Sequence, residues 1–198
     1  LIRSSSARIA ETAAPSRHKL NADDFHRMAE AGIFGEDDRI ELIDGELIDM
    51  APIGQGHAAI VSGLNEALVI ACAGRAIVWP QNPIRLNPFN EPQPDLAVLR
   101  RRPDFYASGE RPGPADVLLL IEVADSSVKF DQTVKRPLYA RTKIGEYWIV
   151  NLKRRILDAY TSPHGDAYRE TKTYRPGDSV TLALAPEIVV KLDLIFGS

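Results

Sequence analysis

Apolar positions along the chain recur with two periods, and each period marks out elements. Arg39-Ile-Glu-Leu-Ile43 and Glu46-Leu-Ile-Asp-Met50 flank Asp44-Gly45, a dipeptide whose backbone suits a two-residue hairpin turn. From about His57 to Ala73 the spacing is helical: Ile60, Val61, Leu64, Leu68 and Ala71 share one stripe, and Gly74 closes it. Arg75–Trp79 and Asp95–Leu99 read as strands joined by a Pro/Asn-rich loop. Val117–Ala124 is almost continuously apolar, as expected of a central strand covered on both faces. Strict alternation there puts Leu118, Leu120, Glu122 and Ala124 on one face. Residues 103–116, rich in Pro and Gly, read as loop. A helical stretch follows from Ser126 or Ser127 to about Thr142, in which Pro137 must kink the helix or sit in a restarted first turn. Glu146–Val150 is a second buried strand, and Ile156–Thr161, Ala167–Tyr174 and Ser179–Leu184 read as antiparallel strands before a last run, Ile188–Phe196. Near the start, Asn21 caps a short helix reaching about Ala31, with Asp24 three residues on. Residues 1–19 are polar and non-periodic, a mobile tail, and residues 20–198 are expected to form one domain. The order helix, strand, strand, strand, helix, strand predicts an α/β (α+β) fold with a mixed central sheet flanked by helices, an N-terminal helix and hairpin, and C-terminal antiparallel strands.

Composition narrows the function classes. An apolar fraction of 44% and a charged fraction of 26% are ordinary for a globular chain. A formal net charge of -3 argues against coating nucleic acid by bulk electrostatics. The charge is uneven, however: eight basic residues stand against two acidic ones between Lys129 and Arg155, and Arg100, Arg101 and Arg102 follow the Asp95 strand. A basic strip of that kind could hold a phosphate backbone, or be a solvated surface. A single cysteine, Cys72, excludes a disulfide framework and a thiolate zinc site, and its apolar surroundings make it a core residue. No apolar run approaches a membrane span and the N-terminus carries no apolar signal core, so no membrane partner is expected and the cytoplasm is the expected compartment.

Glu122 is the most informative residue. An unpartnered ionised carboxylate inside an apolar strand costs several kcal/mol or more, so a cation, strong donors or protonation must compensate it. Two carboxylates on neighbouring strands, Asp95 and Glu122, with a lysine nearby suit phosphodiester hydrolysis assisted by a divalent metal. Asp131, Lys135 and Tyr139 are spaced four apart on one helix face, which lets Lys135 reach Glu122 if that face meets the sheet. The alternatives are a turn or strand-start aspartate for Asp95, a buried salt bridge for Glu122 and an Asp131–Lys135 surface pair. His57 projects in the direction of its helix's apolar stripe. It could be a ligand, a general base, a phosphate contact or a hydrogen-bonded core histidine. Glu41 and Glu46 flank the hairpin turn and are either further metal carboxylates or solvated. No phosphate-binding glycine loop, nucleophile elbow or His-Glu-x-x-His run is present.

Taken together, Glu41-Leu-Ile-Asp-Gly-Glu46, His57, Pro94-Asp95, Ile121-Glu-Val-Ala-Asp-Ser-Ser127, Lys135 with Leu138-Tyr-Ala140, and Gly145-Glu-Tyr-Trp-Ile-Val150 resemble a bacterial restriction endonuclease family of the PD-(D/E)XK nuclease superfamily. The resemblance runs from about Asn21 to Phe196. It implies a restriction-endonuclease-like core of helix, three strands, helix and strand, with Asp95 and Glu122 as ligands of Mg²⁺ (Mn²⁺ as a substitute). It implies cleavage of DNA and, for double-strand cutting, a homodimer. The superfamily's lysine two residues after the glutamate is absent here, where Ala124 stands, and its counterpart is Lys135 on the following helix, with Lys129 as the fallback. His57 and Glu41 would form a second tier of the catalytic set. A module that kept the fold and binds nucleic acid without turnover is the competing expectation.

Overall fold

The computed structural model describes residues 16–35, 37–109 and 111–196. Of the expected tail, residues 1–15 lie outside the described residues, and residues 16–19 have no regular secondary structure. Helix α1, Ala22–Glu30, starts at the expected cap: Asn21 and Asp24 each accept a hydrogen bond from the other's backbone N–H. Strands β1 (Ile40–Ile43) and β2 (Glu46–Asp49) pair antiparallel about Asp44 and Gly45, whose φ angles of 51° and 76° are those of a type I′ turn. Helix α2, Gln55–Cys72, begins two residues earlier than the apolar stripe suggested and ends with Ala73 in the left-handed conformation.

Six strands form the central sheet in the order β3-β4-β5-β6-β7-β8: Ala76–Pro80, Leu96–Arg100, Val117–Ala124, Glu146–Asn151, Ile156–His164 and Ala167–Tyr174. Neighbours are antiparallel except β5 and β6, which are parallel, as a strand–helix–strand crossover requires. The crossover helix, which we call α3, is continuous in three parts: Val128–Phe130, a π-helical turn Asp131–Lys135, and Arg136–Arg141. Pro137 has no N–H to donate to the preceding turn, and the wide π turn just before it takes up that misfit. Pro137 thus sits in the first turn of Arg136–Arg141, the restarted turn that the sequence allowed, and the chain stays helical across it.

Each face of the sheet carries its own core. On one face Leu119, Ile121, Val123, Trp148 and Val150 pack against Leu64, Leu68 and Cys72 of α2. On the other, Leu120, Ala124, Tyr147 and Ile149 pack against Leu138 and Tyr139 of α3 and against Ile84 and Leu86. Leu118 departs from the expected alternation. The β4–β5 register slips between Val98 and Leu99, so Leu118 is the extra residue of a bulge and joins the α2-side core. Two further differences concern the C-terminal strands. β9 (Ser179–Leu182) does not extend the sheet but pairs with β10 (Ala185–Lys191) in a separate hairpin, and Asp193–Phe196 is a helical turn, α4. No helix among the described residues is long and apolar enough to cross a membrane.

Candidate active site

Three elements bring the acidic residues together. Glu122 sits mid-sheet on β5 and turns to the α3 face, where Lys135 and Tyr139 meet it. Asp95 immediately precedes β4, whose Leu96 pairs with Ile121, so Asp95 stands one step along from that pair, beside the Glu122–Val123 end of β5. Its Oδ2 accepts from the Val123 backbone N–H at 2.8 Å and lies 3.1 Å from Nε2 of His57, at the first turn of α2. These residues open on one cavity of about 180 Å³, walled by His57, Asp95, Glu122, Ser127 and Asp131, with Arg39 at its edge.

Lys135 is wholly buried and is the hub behind that wall. Its Nζ donates to Glu122 Oε1 at 2.9 Å and to Glu41 Oε1 at 3.0 Å. Tyr139 Oη donates to the same Glu122 oxygen at 2.9 Å, and the Gln93 backbone N–H donates to Glu41 Oε1 at 2.8 Å. The charge demanded by Glu122 is thus met partly from within the chain, by a salt bridge and a phenol. Lys135 does not pair with Asp131 at the surface as one alternative had it: both are buried, and Asp131 instead accepts from Ser127 Oγ at 2.7 Å. Lys135 does not line the cavity itself.

The compensation is incomplete. Glu41, Asp95, Glu122 and Asp131 are all buried, and Lys135 is the one buried lysine or arginine among them. Burial pushes the Glu122 carboxyl well above its ordinary range, and the neighbouring Asp95, Asp131 and Glu41 charges push the same way against the pull of Lys135. Asp131 is raised for the same first reason, loss of solvent. Burial would by itself release the Lys135 proton, but the surrounding carboxylates outweigh it and hold the ammonium charged. Glu122 Oε2, Asp95 Oδ1 and Asp131 Oδ1 carry no hydrogen bond among the described residues, and all three residues line the cavity. No group of three or more His, Cys, Asp or Glu among the described residues is disposed to hold an ion by protein ligands alone. Mg²⁺ does not need one, because it characteristically takes one or two carboxylates and completes its shell with water and phosphate. The open oxygens and the surplus negative charge fit such an ion.

Other expectations divide. Glu41, expected to be solvated or a ligand, is 1% exposed; its Oε1 is taken by Lys135 and Gln93, and its Oε2 is buried without a partner. Glu46 is the solvated one, facing Arg17. His57 does point inward, and its Nδ1 is buried unpaired. The fallback, Lys129, is exposed at the surface of α3. Arg100–Arg102 lie at the far end of β4 from Asp95, a strand of five residues or roughly 17 Å. They cannot line the same cavity. For Asp131, where a surface pair was the alternative to a face turned to the sheet, the signal that favours burial is the Ser127–Asp131 spacing, which lets one helical turn bury and satisfy a carboxylate.

A mixed sheet with a parallel strand–helix–strand crossover, an acidic pair at the end of two antiparallel strands and a lysine on the crossover helix define the restriction-endonuclease-like class. The chain belongs to the Uma2 family, described as "Putative restriction endonuclease", whose model matches residues 22–194. Its fold is similar to the crystal structure of a "putative nuclease belonging to DUF820" from Anabaena variabilis, with a TM-score of 0.69 at 16% sequence identity, covering 89% of this chain and 97% of that one. No curated protein matches the chain.

Proposed function

We propose that the protein is a metal-dependent endonuclease that hydrolyses phosphodiester bonds in DNA, working in the cytoplasm as a homodimer, with residues 20–198 acting as one domain. The observation that carries this reading is the set of open carboxylate oxygens on Asp95 and Glu122, at one cavity, beside more buried negative charge than Lys135 neutralises. Asp95 and Glu122 would hold Mg²⁺, with Mn²⁺ as a substitute. The ion would supply a Lewis acid for the phosphoryl oxygen and a bound water of lowered pKa. Lys135 pulls the Glu122 carboxyl toward ionisation and holds it in place, and its ammonium, one carboxylate away from the cavity, steadies charge developing on the phosphate. Glu41 completes the clamp on Lys135, and His57 orients Asp95 through Oδ2. The homodimer follows from one such site per chain and two strands to cut.

The test is cleavage of supercoiled plasmid and of single-stranded DNA in Mg²⁺ and in Mn²⁺, with wild type beside Asp95→Asn and Glu122→Ala, each checked for cooperative unfolding. Cutting by the wild type that falls at least 100-fold in both folded variants supports the proposal. A wild type that binds DNA without cutting it in either metal is instead the non-catalytic module, and activity confined to free nucleotides would point to a small phosphoester hydrolase.

A further inference from the structure

Away from the acidic cavity, a second cavity of about 440 Å³ is lined by three arginines, Arg85, Arg102 and Arg111, together with Ser108, Gly109, Gly113 and Asp116. Its arginines are not loose surface cations. Arg85 Nε donates to Glu91 Oε2 at 2.9 Å, and Arg111 Nε lies 3.3 Å from Glu91 Oε1, Glu91 being 2% exposed. Arg102 is gripped on one edge by Asp104, through Nε at 3.1 Å and an Nη at 2.9 Å, and its guanidinium lies 4.5 Å from the Tyr106 ring centre. The remaining N–H groups are not equally free: Arg85 Nη1 and Nη2 lie 3.5 Å from Asp23 Oδ1 and His26 Nδ1, and Arg102 Nη2 also donates to the Ser108 carbonyl at 3.2 Å, which leaves Arg102 Nη1 and the Nη groups of Arg111 for something else. Asp116, the one acidic side chain among the described residues of the wall, is turned to the Gly113 backbone N–H at 2.9 Å.

A planar fork with one edge held and another free is the arrangement that binds oxyanions in bidentate fashion at low entropic cost. Two of them, Arg102 and Arg111, with Arg85 braced beside them, suit the non-bridging oxygens of a phosphate group. Position indicates which phosphate. Arg85 is carried by the loop whose Ile84 and Leu86 pack with Ala97, Leu99, Leu120 and Tyr139, the same face of the sheet that Glu122 occupies. Arg102 lies just past the end of β4 and Asp95 at its start, so Arg102 stands about the length of that strand from Asp95, roughly 17 Å or five base-pair rises of a duplex. The net charge of -3 argues against holding a backbone by bulk electrostatics, so the work falls to localised basic sites.

We propose that the Arg85–Arg102–Arg111 cavity is a phosphate-binding subsite that holds the DNA backbone some five base pairs from the acidic cavity. This assignment of the occupant rests on the nuclease reading; the site as a phosphate site does not. The experiment compares wild type, Arg102→Gln/Arg111→Gln and, as a control for lost surface charge, Lys153→Gln, all in EDTA so that no metal contributes. Arg85 is left in place to keep Glu91 paired, and Lys135→Met reports separately on the acidic site. Two probes are used: inorganic phosphate, read as a rise in melting temperature against an equal ionic strength of chloride, and a short duplex, read as the salt dependence of its Kd. Phosphate should protect the wild type and the lysine control but not the double variant. The duplex should bind the double variant about tenfold more weakly at low salt, with the slope of log K against log salt reduced by about 1 to 2. Phosphate protection without any change in duplex binding keeps the site and removes DNA as its occupant, in favour of a free phosphate or nucleotide. Equal protection of the double variant by phosphate overturns the proposal. Because neither probe needs cleavage, a wild type that fails to cut DNA leaves this result standing.

Discussion

Replacing Lys135 by Met isolates the electrostatics of the site, because methionine fills a similar volume without the charge. Lys135 is 0% exposed and donates to two buried carboxylates, Glu41 and Glu122, which the substitution leaves without their cation. Truncating one partner of a buried pair costs about 3–5 kcal/mol. An independent bound gives the same size: the escape open to Glu41, orphaned beside Glu122, is to take a proton, and at pH 7 that costs about 3.7 kcal/mol for a glutamate whose unfolded value is near 4.3. In a domain of this length such a loss lowers Tm by roughly 6–20 °C. The bound also fixes the pH dependence, since at pH 5 the same protonation costs only about 1 kcal/mol. Urea melts of both proteins at pH 7 and pH 5 should therefore show a deficit in Lys135→Met of about 4 kcal/mol that shrinks to about 1 kcal/mol on acidification. Adding Glu41→Gln to the variant should restore part of the loss at pH 7, by sparing that carboxylate its proton. A deficit below about 1 kcal/mol at pH 7, or one unchanged between the two pH values, would refute the claim that Lys135 is the cation on which the acidic cluster depends.

Two other outcomes follow from the same geometry. Tyr139→Phe removes the second donor to Glu122 Oε1 and should cost about 1.5–3 kcal/mol in urea melts. Glu122 and Asp131 are both raised by burial, so the native protein holds protons that the unfolded chain has released, and metal-free stability should fall as pH rises from about 4.5 through the raised native values. Mg²⁺ should reverse that fall, adding about 2.7 kcal/mol at a hundred times its Kd, and should release protons when it binds. Calorimetry in two buffers of different ionisation enthalpy measures the proton release, and its absence would show that Glu122 is already ionised without metal.

How far the chain could be read ahead of its fold depends on the range of the interaction concerned. Local chemistry carried the elements: the reciprocal Asn21–Asp24 cap, the Asp44-Gly45 turn and the period of α2 all act within a few residues, so the boundaries fall within about two positions of those expected. The anomaly of Glu122 was also visible in sequence, because a carboxylate in a strand covered on both faces conflicts with its surroundings wherever the strand lies. Period-two reasoning failed at Leu118, since a bulge answers to the partner strand β4 and not to β5's own sequence. The antiparallel strand read at Ser179–Leu184 is β9, but its choice of β10 as partner is not something period-two reasoning addresses. Only the tertiary structure could show that Glu122 is met by Lys135 and Tyr139 from thirteen and seventeen residues away and that Glu41, ninety-four residues from Lys135, closes the same clamp. The same holds for Asp131, whose spacing to Lys135 is equally that of a solvated surface pair until the packing of α3 on the sheet removes the water. The charge of a side chain is written in the sequence, but the cost of that charge is set by what surrounds it, and the surroundings are assembled from distant parts of the chain.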